Sequence, residues 1–409
     1  MRSTMCLSIL MIAAAARADN WPGWRGPTGM GISAETDLPV RWSGKDNIRW
    51  KVLVPGAGVS APVVWGERVF LTASDGRLND RLHVYCYDRK DGKQLWHAKL
   101  FGTAPTDLFA PGGMAVPTPV TDGKHLYVLF GTGDLFSLDF AGKPAWIRSL
   151  AQEYGPFRNR WGMGTSPILV GDLLVVQVDH WSQSYLLGID AATGANRWKT
   201  NRDASVNWST PVPIKVNGQT ELIVQGTFRA MGYDAATGSP LWTVKGMGMQ
   251  CIPSPAVADN VLFASSGENT MAIRLDGKTG DLTRSHIAWT NAKAGAFIGS
   301  PVVFQGQVYI AGDRGIGQCL DARTGKLLWK KRLGDHFHAS PVAGDDKVYF
   351  ANSEGIVKVI QAGPEFKSLA ENNMGEGIVA SPAISDGQIF LRGDKHLFCV
   401  ERISPSKKR

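Results

Sequence analysis

One short motif recurs eight times along this 409-residue chain and constrains its fold more than any other feature. In every copy a small residue precedes a proline that opens an apolar run, and the prolines are Pro62, Pro119, Pro167, Pro211, Pro255, Pro301, Pro341 and Pro382. The small residue is serine or threonine in seven copies and Ala61 in the first. Successive prolines lie 40 to 57 residues apart, close to the roughly 40–50 residues that a four-stranded propeller blade needs. The spacing therefore predicts eight blades.

A tight turn and a second apolar run follow each proline. Gly66-Glu67, Asp122-Gly123 and Asn217-Gly218 are typical of these turns. Glycine, asparagine and aspartate tolerate the positive φ that a short antiparallel hairpin requires. Because the acids recur at the same hairpin, we interpret them as turn residues rather than metal ligands.

A third strand then ends in an acid, followed by a glycine turn and a tryptophan. The clearest copy is Asp-Ala-Ala-Thr-Gly-Ala-Asn-Arg-Trp at residues 190–198. A flat indole at this position would fill the wedge between neighbouring blades, and the candidates for this docking role are Trp50, Trp96, Trp146, Trp198, Trp242 and Trp329. Two copies depart from the pattern: Asp276 to Arg284 keeps the turn but lacks the tryptophan, and Ile360 to Leu369 lacks both.

The last repeat ends at Arg402 after only three strands, and residues 48–54 near the other end supply a fourth that carries Trp50. Pairing the two would remove the open edges of the ring. The predicted fold is thus all-β: an eight-bladed propeller of four-stranded antiparallel blades, closed by an N-terminal strand that pairs with the last blade.

The remaining segments predict an exported protein. Residues 1–18 read as a signal peptide with a small-x-small cleavage site at Ala16-Arg17-Ala18. Residues 19–46 form a Pro/Gly-rich extension, residues 47–402 the propeller, and residues 403–409 a basic tail. We expect a periplasmic or secreted protein without a transmembrane segment, because no apolar run is long enough to span a bilayer. The net charge of +8 is spread along the chain, which argues against a nucleic-acid partner.

The cysteines after the signal peptide are Cys86, Cys251, Cys319 and Cys399. Three of them precede an acid by two residues, where other repeats place serine or glycine. A position shared with such residues requires a small side chain, so we interpret these cysteines as packing residues. Their even number in an oxidising compartment leaves disulfides open, although equivalent positions in different repeats are awkward to bridge.

These repeats resemble those of the pyrroloquinoline-quinone (PQQ) repeat, or quinoprotein-like, propeller superfamily, over residues 47–402. The size and blade count also resemble the propeller lipoprotein of the Bam outer-membrane assembly complex. Trp-Pro-Gly-Trp-Arg-Gly-Pro at residues 21–27 and Trp-Gly-Met-Gly-Thr-Ser-Pro at 161–167 resemble secreted bacterial PQQ-like proteins. One propeller serves many chemistries, so the resemblance implies the fold more than the function.

The strand order places the long, variable connections on one face, where function usually resides. Residues just before the inner strands should surround the channel mouth there, and the ligand-binding candidates are Arg158, Arg160, Trp161, Trp208, His336, His338 and Glu376. Arginines beside tryptophans could hold a flat anion such as a quinone carboxylate. Alternatively, the tryptophans plug the channel and the arginines pair with Glu376 or Asp335.

His336 and His338 are the metal candidates, since alternate residues of an extended segment face one way; the alternative is a pair of polar rim histidines.

Three functions remain open on the sequence. The preferred one is an extracytoplasmic scaffold that binds a protein or a small ligand through the long-loop face, with no catalytic residue assigned. The second is a PQQ-dependent quinoprotein dehydrogenase, with quinone and calcium at the channel mouth. The resemblance weakens this reading, because such enzymes typically carry adjacent cysteines and the chain has no Cys-Cys pair and no Cys-x-x-Cys-His haem site. The third is an accessory factor in outer-membrane protein assembly.

Overall fold

Eight antiparallel sheets surround a central channel in the computed structural model, which describes residues 20–44, 46–104, 112–159, 161–267 and 269–403. The predicted propeller fold is confirmed. Each sheet is one blade, and its innermost strand begins directly after a repeat proline. Strands that are consecutive in the chain pair antiparallel within each blade, so the connection from the second strand to the third and the crossing to the next blade lie on one side. We call this side the long-loop face and the opposite side the short-turn face.

The strands follow the repeats in chain order, and the first strand, β1 (Ile48–Leu53), belongs to the last blade. Blade 1 comprises β2 (Val63–Trp65), β3 (Arg68–Asp75), β4 (Arg81–Asp88) and β5 (Gln94–Phe101). Blade 2 comprises β6 (Val120–Thr121), β7 (His125–Leu129), β8 (Asp134–Asp139) and β9 (Pro144–Ser149), followed by the short helix α1 (Leu150–Tyr154). Blade 3 comprises β10 (Ile168–Val170), β11 (Leu173–Val178), β12 (Ser184–Asp190) and β13 (Asn196–Arg202). Blade 4 comprises β14 (Val212–Val216), β15 (Gln219–Gly226), β16 (Arg229–Asp234) and β17 (Pro240–Lys245).

The second half of the ring repeats this order. Blade 5 comprises β18 (Ala256–Ala258), β19 (Val261–Ser266), β20 (Asn269–Arg274) and, after the two-residue β21 (Gly280–Asp281), β22 (Ile287–Asn291). Blade 6 comprises β23 (Val302–Phe304), β24 (Gln307–Gly312), β25 (Ile316–Asp321) and β26 (Leu327–Arg332). Blade 7 comprises β27 (Val342–Gly344), β28 (Lys347–Ala351), β29 (Ile356–Gln361) and β30 (Ser368–Asn373). Blade 8 comprises β31 (Ala383–Ser385), β32 (Gln388–Arg392), β33 (His396–Glu401) and β1. Within the described ranges, no helix has the length and apolar character that crossing a bilayer requires.

Blade 8 closes the ring as the sequence predicted. β1 pairs antiparallel with β33, with Trp50 opposite Cys399 and Leu53 opposite His396. The pairing covers the outer edge that β33 would otherwise leave open.

A tryptophan on the outer strand lies between blades at most positions of the ring. In five blades its indole Nε1 donates to a backbone carbonyl just after the third strand of the next blade, and the donors are Trp50, Trp96, Trp146, Trp198 and Trp289. Trp242 instead donates to the Glu221 carboxylate of its own blade at 2.7 Å. Trp329 packs edge-on against Phe366, with ring centroids 5.2 Å apart.

The residue opposite each tryptophan is small because the indole lies against it. A Cβ on Gly188 would come within 2.3 Å of the Trp198 ring, and Cys86 and Cys319 pair with Trp96 and Trp329 in the same way. The packing interpretation of these cysteines is therefore confirmed. All four cysteines of the described chain are buried free thiols.

One predicted loss of a docking tryptophan is wrong. Blade 5 keeps the residue as Trp289, which lies opposite Ala272 on β22, but an insertion moves it further from the turn than in other repeats. Part of that insertion, β21, pairs parallel with β17 on the outer edge of blade 4. Blade 7 does lack the tryptophan: Ala370 takes its place opposite a larger residue, Val359, and Trp42 packs into the same cluster from elsewhere in the chain.

Trp42 belongs to an N-terminal extension, residues 20–44, that crosses the short-turn face. Trp21 bridges to Val64 on blade 1, Ile32 bridges to Ala343 on blade 7, and the Trp42 backbone N–H donates to Asn372 at 2.9 Å. The extension thus runs from blade 1 across the channel to blade 7 before it enters β1.

Candidate functional site

The central channel contains a cavity of about 620 Å³ that every blade helps to line. Each blade contributes the segment that precedes its innermost strand, and the lining includes Val59, Val116, Trp208, Ile252, Ile298 and Val379. These segments belong to the long-loop face, so the cavity opens there. We call it the cup.

Trp24, in the extension, forms the floor of the cup. It lines the cavity, and its indole Nε1 donates to the Ser254 hydroxyl at 3.1 Å. The neighbouring Arg25 is 1% exposed and donates to the backbone carbonyls of Met30, Pro255 and Pro301. Burial lowers the pKa of Arg25 to about 9. The extension therefore closes the channel from the short-turn face with a tryptophan and a buried guanidinium.

A ring of hydroxyls holds the blades together around the cup. Each blade's residue before the repeat proline donates its backbone N–H to the equivalent hydroxyl of the next blade at 2.9–3.0 Å, and the acceptors are Thr118, Ser166, Thr210, Ser254, Ser300, Ser340 and Ser381. Ala61 has no hydroxyl, so this series stops between blades 8 and 1. At that seam Arg392 donates to the Ser60 hydroxyl and carbonyl at 2.7 and 3.2 Å. The repeated serines and threonines therefore join neighbouring blades at the inner strands.

Three of the predicted ligand-binding residues meet at the cup. Trp161, Trp208 and His338 all line it. Trp208 is fixed by an indole hydrogen bond to the Gly162 carbonyl at 2.8 Å, whereas the Trp161 side chain is 50% exposed at the mouth. Burial lowers the pKa of His338, although Asp313 opposes this, because an apolar environment disfavours the charged imidazole.

The predicted arginines do not join these side chains. Arg158 is exposed and does not line the cup; its carbonyl accepts from the Trp181 backbone N–H at 3.4 Å. The pKa of the neighbouring His180 is lowered by burial and further by the Arg158 charge. Arg160 lies outside the described residues.

His336, unlike His338, turns away from the cup. Its exposed ring donates from Nδ1 to the Asp313 backbone carbonyl at 2.7 Å. The alternation argument fails here because the segment is a loop, in which side chains do not strictly alternate. Nowhere in the described ranges do three or more His, Cys, Asp or Glu side chains form a group that could hold a metal ion.

Glu376 is occupied within blade 8. Its carboxylate accepts from the backbone N–H groups of Lys395 and His396 at 3.1 and 2.8 Å and contacts His396 Nδ1 at 2.6 Å. Burial opposes ionisation, but these bonds outweigh it and lower the pKa of Glu376. The carboxylate therefore fixes the loop before β33. It does not pair with Arg158, and it does not line the cup.

A buried polar cluster lies beside the loop between β11 and β12 on the long-loop face. Asp179 accepts two hydrogen bonds from Arg202 at 3.0 and 3.1 Å, and Arg202 also donates to the Tyr233 hydroxyl at 2.7 Å. Burial alone would lower the pKa of Arg202, but Asp179 and Tyr233 raise it. Asp179 is thus committed to a structural ion pair two residues before the exposed Trp181.

Large apolar side chains are exposed on the long-loop face. Of the ten exposed large hydrophobic residues in the described chain, six lie in loops of the long-loop face: Leu78, Trp161, Trp181, Phe228, Met249 and Phe297. We call them the rim residues. Trp181 is 64% and Met249 67% exposed. A surplus of exposed aromatic and apolar side chains on one face makes that face the candidate interaction surface.

Phe228 occupies a position that other blades give to glycine. Its φ is +63°, and in blades 2, 6 and 7 the residue just before the third strand is Gly133, Gly315 or Gly355 with φ of 77–84°. In all four blades the carbonyl of this residue accepts the first backbone N–H beyond the outer strand. A bulky residue with positive φ is strained, and the Phe228 side chain gains little burial in return because it is 58% exposed.

Sequence reasoning found the cup but not Phe228 or Trp24. Phe228 could have been found by aligning the repeats at the turn between the second and third strands, where an aromatic replaces glycine. Trp24 gave only a motif resemblance, and nothing local indicates that a Pro/Gly-rich segment enters the channel.

A family model described as outer membrane protein assembly factor BamB matches residues 41–155, 80–204 and 182–402, which together span the propeller. The chain belongs to this PQQ-repeat family. BamB of Shewanella oneidensis is 23% identical over 297 residues, which are 69% of this chain and 66% of that protein. Tetrathionate hydrolase of Acidithiobacillus ferrooxidans is 25% identical over 270 residues, 61% of this chain and 50% of that protein. The matched region thus spans between half and two thirds of the length of these relatives.

Among solved structures, a quinohemoprotein alcohol dehydrogenase from Pseudomonas putida matches with a TM-score of 0.69 and 13% identity, covering 94% of this chain and 80% of that one. Identity this low shows a shared fold alone. The relatives matched by sequence are named as an assembly factor and as a hydrolase, so the names of the relatives do not decide between binding and catalysis.

The described lining of the cup does not fit a quinone that carries carboxylates. None of the described residues that line the cup is arginine, lysine, aspartate or glutamate, and burial lowers the pKa of its one histidine, His338. A buried carboxylate without a cationic partner would lose its hydration without compensation. The described lining also offers no acidic side chain for calcium. No catalytic step through such a cofactor follows from these residues.

Proposed function

We propose that this protein is an extracytoplasmic scaffold that binds a partner protein through the rim residues of its long-loop face. The single observation that supports this function most is the concentration of exposed aromatic and apolar side chains on that face. Aromatic residues and methionine are enriched at protein interfaces, and a few such side chains carry most of the binding energy.

The residues that hold the rim residues in place favour a binding role over a catalytic one. Trp181 follows the buried Asp179–Arg202 pair, and Phe228 holds a strained backbone whose N–H donates to the Gly248 carbonyl next to Met249. Strain and exposure at one residue are characteristic of positions selected for function rather than for stability. The relatives named as outer membrane protein assembly factors suggest which partner to test first: a component or a client of outer-membrane protein assembly.

Site-specific photo-crosslinking in the source organism tests this function. A photoreactive amino acid replaces Trp181 or Phe228 on the long-loop face, and Asn217, in a hairpin of the short-turn face, serves as the matched control position. We expect a discrete protein adduct from the first two positions and none from Asn217. Identification of that adduct by mass spectrometry as an outer-membrane assembly component or client would support the assembly role. Equal adducts from both faces, or none from either, would contradict the proposal.

A further inference from the structure

We propose that the cup is a binding site for an uncharged, ring-containing small molecule that bears hydrogen-bond acceptor oxygens. This site shares Trp161 and Phe297 with the rim residues, but its ligand would lie inside the channel and does not depend on a protein partner. It rests on the shape of the cup, on the absence of charged side chains from its described lining and on the polarity of its hydroxyls.

The size and closure of the cup suit a small molecule. Its volume of about 620 Å³ lies within the roughly 300–1,000 Å³ of typical ligand pockets. Trp24 blocks the short-turn end, so the cup has one mouth. A ligand that enters from the long-loop face would lie on an indole floor, between the Trp208 ring, which is hydrogen-bonded in place, and the Phe297 ring near the mouth.

The wall chemistry selects against charge. Aliphatic side chains such as Val59, Ile252 and Val379 line the cup together with aromatic ones, and the described lining contains no arginine, lysine, aspartate or glutamate. A charged ligand would lose its hydration without gaining a counter-ion, which is costly. An uncharged ligand with flat or alicyclic rings would bury apolar surface against both kinds of wall.

The hydroxyl ring supplies the polar contacts. Ser166, Thr210, Ser300, Ser340 and Ser381 line the cup, and each accepts a backbone N–H from the preceding blade. A hydroxyl that accepts one bond retains its own proton as a donor. Five blades therefore offer an O–H donor at the wall of the cup, which matches ketone, ether or ester oxygens on the ligand.

A matched pair of fluorescent probes tests the inference on the full-length protein. N-phenyl-1-naphthylamine is uncharged, whereas 1-anilinonaphthalene-8-sulfonate has the same ring system with a sulfonate, and both brighten in apolar surroundings. We expect saturable binding of the uncharged probe near one molecule per protein, tighter than the sulfonate by at least about tenfold because the charge lacks a partner. Equal affinities, or no saturable binding of the uncharged probe, would overturn the inference.

Substitutions locate the probe. Val379→Trp should fill the cup and weaken binding by at least about tenfold without lowering the melting temperature, and an uncharged acceptor-bearing competitor, 1,4-naphthoquinone, should displace the probe from the wild type. Trp181→Ala is the control, because Trp181 belongs to the rim but does not line the cup. Ile298→Trp provides a second filling variant if Val379→Trp does not fold. Unchanged binding in a folded filling variant, equal loss in Trp181→Ala, or no displacement by the naphthoquinone would each refute the proposed site.

Discussion

At the scale of single residues, Phe228 keeps a strained backbone conformation although its side chain is mostly exposed. Three other blades use glycine for the same turn, so nothing in the propeller itself calls for an aromatic there. Phe228→Gly should raise the free energy of unfolding by up to about 1 kcal/mol, because it removes the strain of the left-handed backbone conformation. It should also weaken crosslinking of the partner from a photoreactive residue at position 181. Phe228→Ala should weaken crosslinking equally without the gain in stability, since its Cβ keeps the strain. Chemical denaturation of both variants checks this, and a Gly variant no more stable than the Ala variant would contradict it.

Glu221 is a second residue whose burial works against stability. Its carboxylate is 3% exposed and accepts from Trp242 Nε1, and burial raises its pKa above the ordinary value of 4.5. Because the folded pKa lies above the unfolded one, the folded protein loses stability as pH rises through this interval. Glu221→Gln, which retains an acceptor for Trp242, should therefore be more stable than wild type at pH 7 and lose this advantage below about pH 4. Melting temperatures at both pH values provide the test; an advantage that persists in acid would refute the titration argument.

The docking tryptophans and the rim tryptophans should respond differently to truncation. Trp198→Ala removes an indole that packs against Gly188 and donates to the Ala235 carbonyl of the next blade, and should cost about 3–5 kcal/mol. Trp181→Ala should change stability by less than about 0.5 kcal/mol, because the ring is mostly exposed. Denaturant unfolding of the two variants measures the difference, and similar losses in both would contradict the assignment of Trp181 to a binding surface.

At the scale of elements, the hydroxyl ring joins neighbouring blades at seven of eight positions. Ala61→Ser would offer the Ser381 backbone N–H the missing acceptor and should add about 0.5–1.5 kcal/mol of stability. Ser300→Ala, which removes an existing member, should cost a similar amount or more, because the Ser254 N–H loses its partner. Unfolding free energies check both variants. A neutral or destabilising Ala61→Ser alongside a costly Ser300→Ala would show that the seam between blades 8 and 1 does not need the hydroxyl.

Sequence patterns predicted the elements well wherever a local rule applies. Prolines, turn residues and small residues opposite tryptophans repeat because each blade solves the same packing problem, and they gave the blade count and the closing strand. The spacing from the glycine turn to the tryptophan missed Trp289, because the insertion that contains β21 lengthens this spacing in blade 5. β21 pairs with the neighbouring blade, and Trp289 still lies opposite Ala272. Sequence patterns placed Trp161 and Trp208 near the channel, but could not foresee that Arg158 turns outward or that Glu376 binds His396, since these depend on loop conformation and on residues distant in sequence.

At the scale of the whole molecule, the N-terminal segment performs two separable tasks. Residues 20–44 cross the short-turn face and close the cup, whereas β1 completes blade 8. Deletion of residues 20–44 should lower the melting temperature but leave a monomeric propeller, because the ring stays closed. Deletion of residues 20–56 should expose the edge of β33 and cause aggregation. Light scattering with thermal melts distinguishes the two, and a longer deletion that melts like the intact chain would refute the closure argument.

The pairing of β1 with β33 also determines when the protein can finish folding. Ile48 lies opposite Val400, so these contacts join residues about as far apart along the chain as the propeller allows. Long-range contacts form slowly, because loop-closure entropy is lost before any contact compensates for it. During synthesis the segment that emerges early must wait, without its partner strand, until the last blade is complete. A circular permutant that carries residues 20–53 after residue 403 would make the same contacts local, and it should reach the native state faster than the natural chain while melting at a similar temperature.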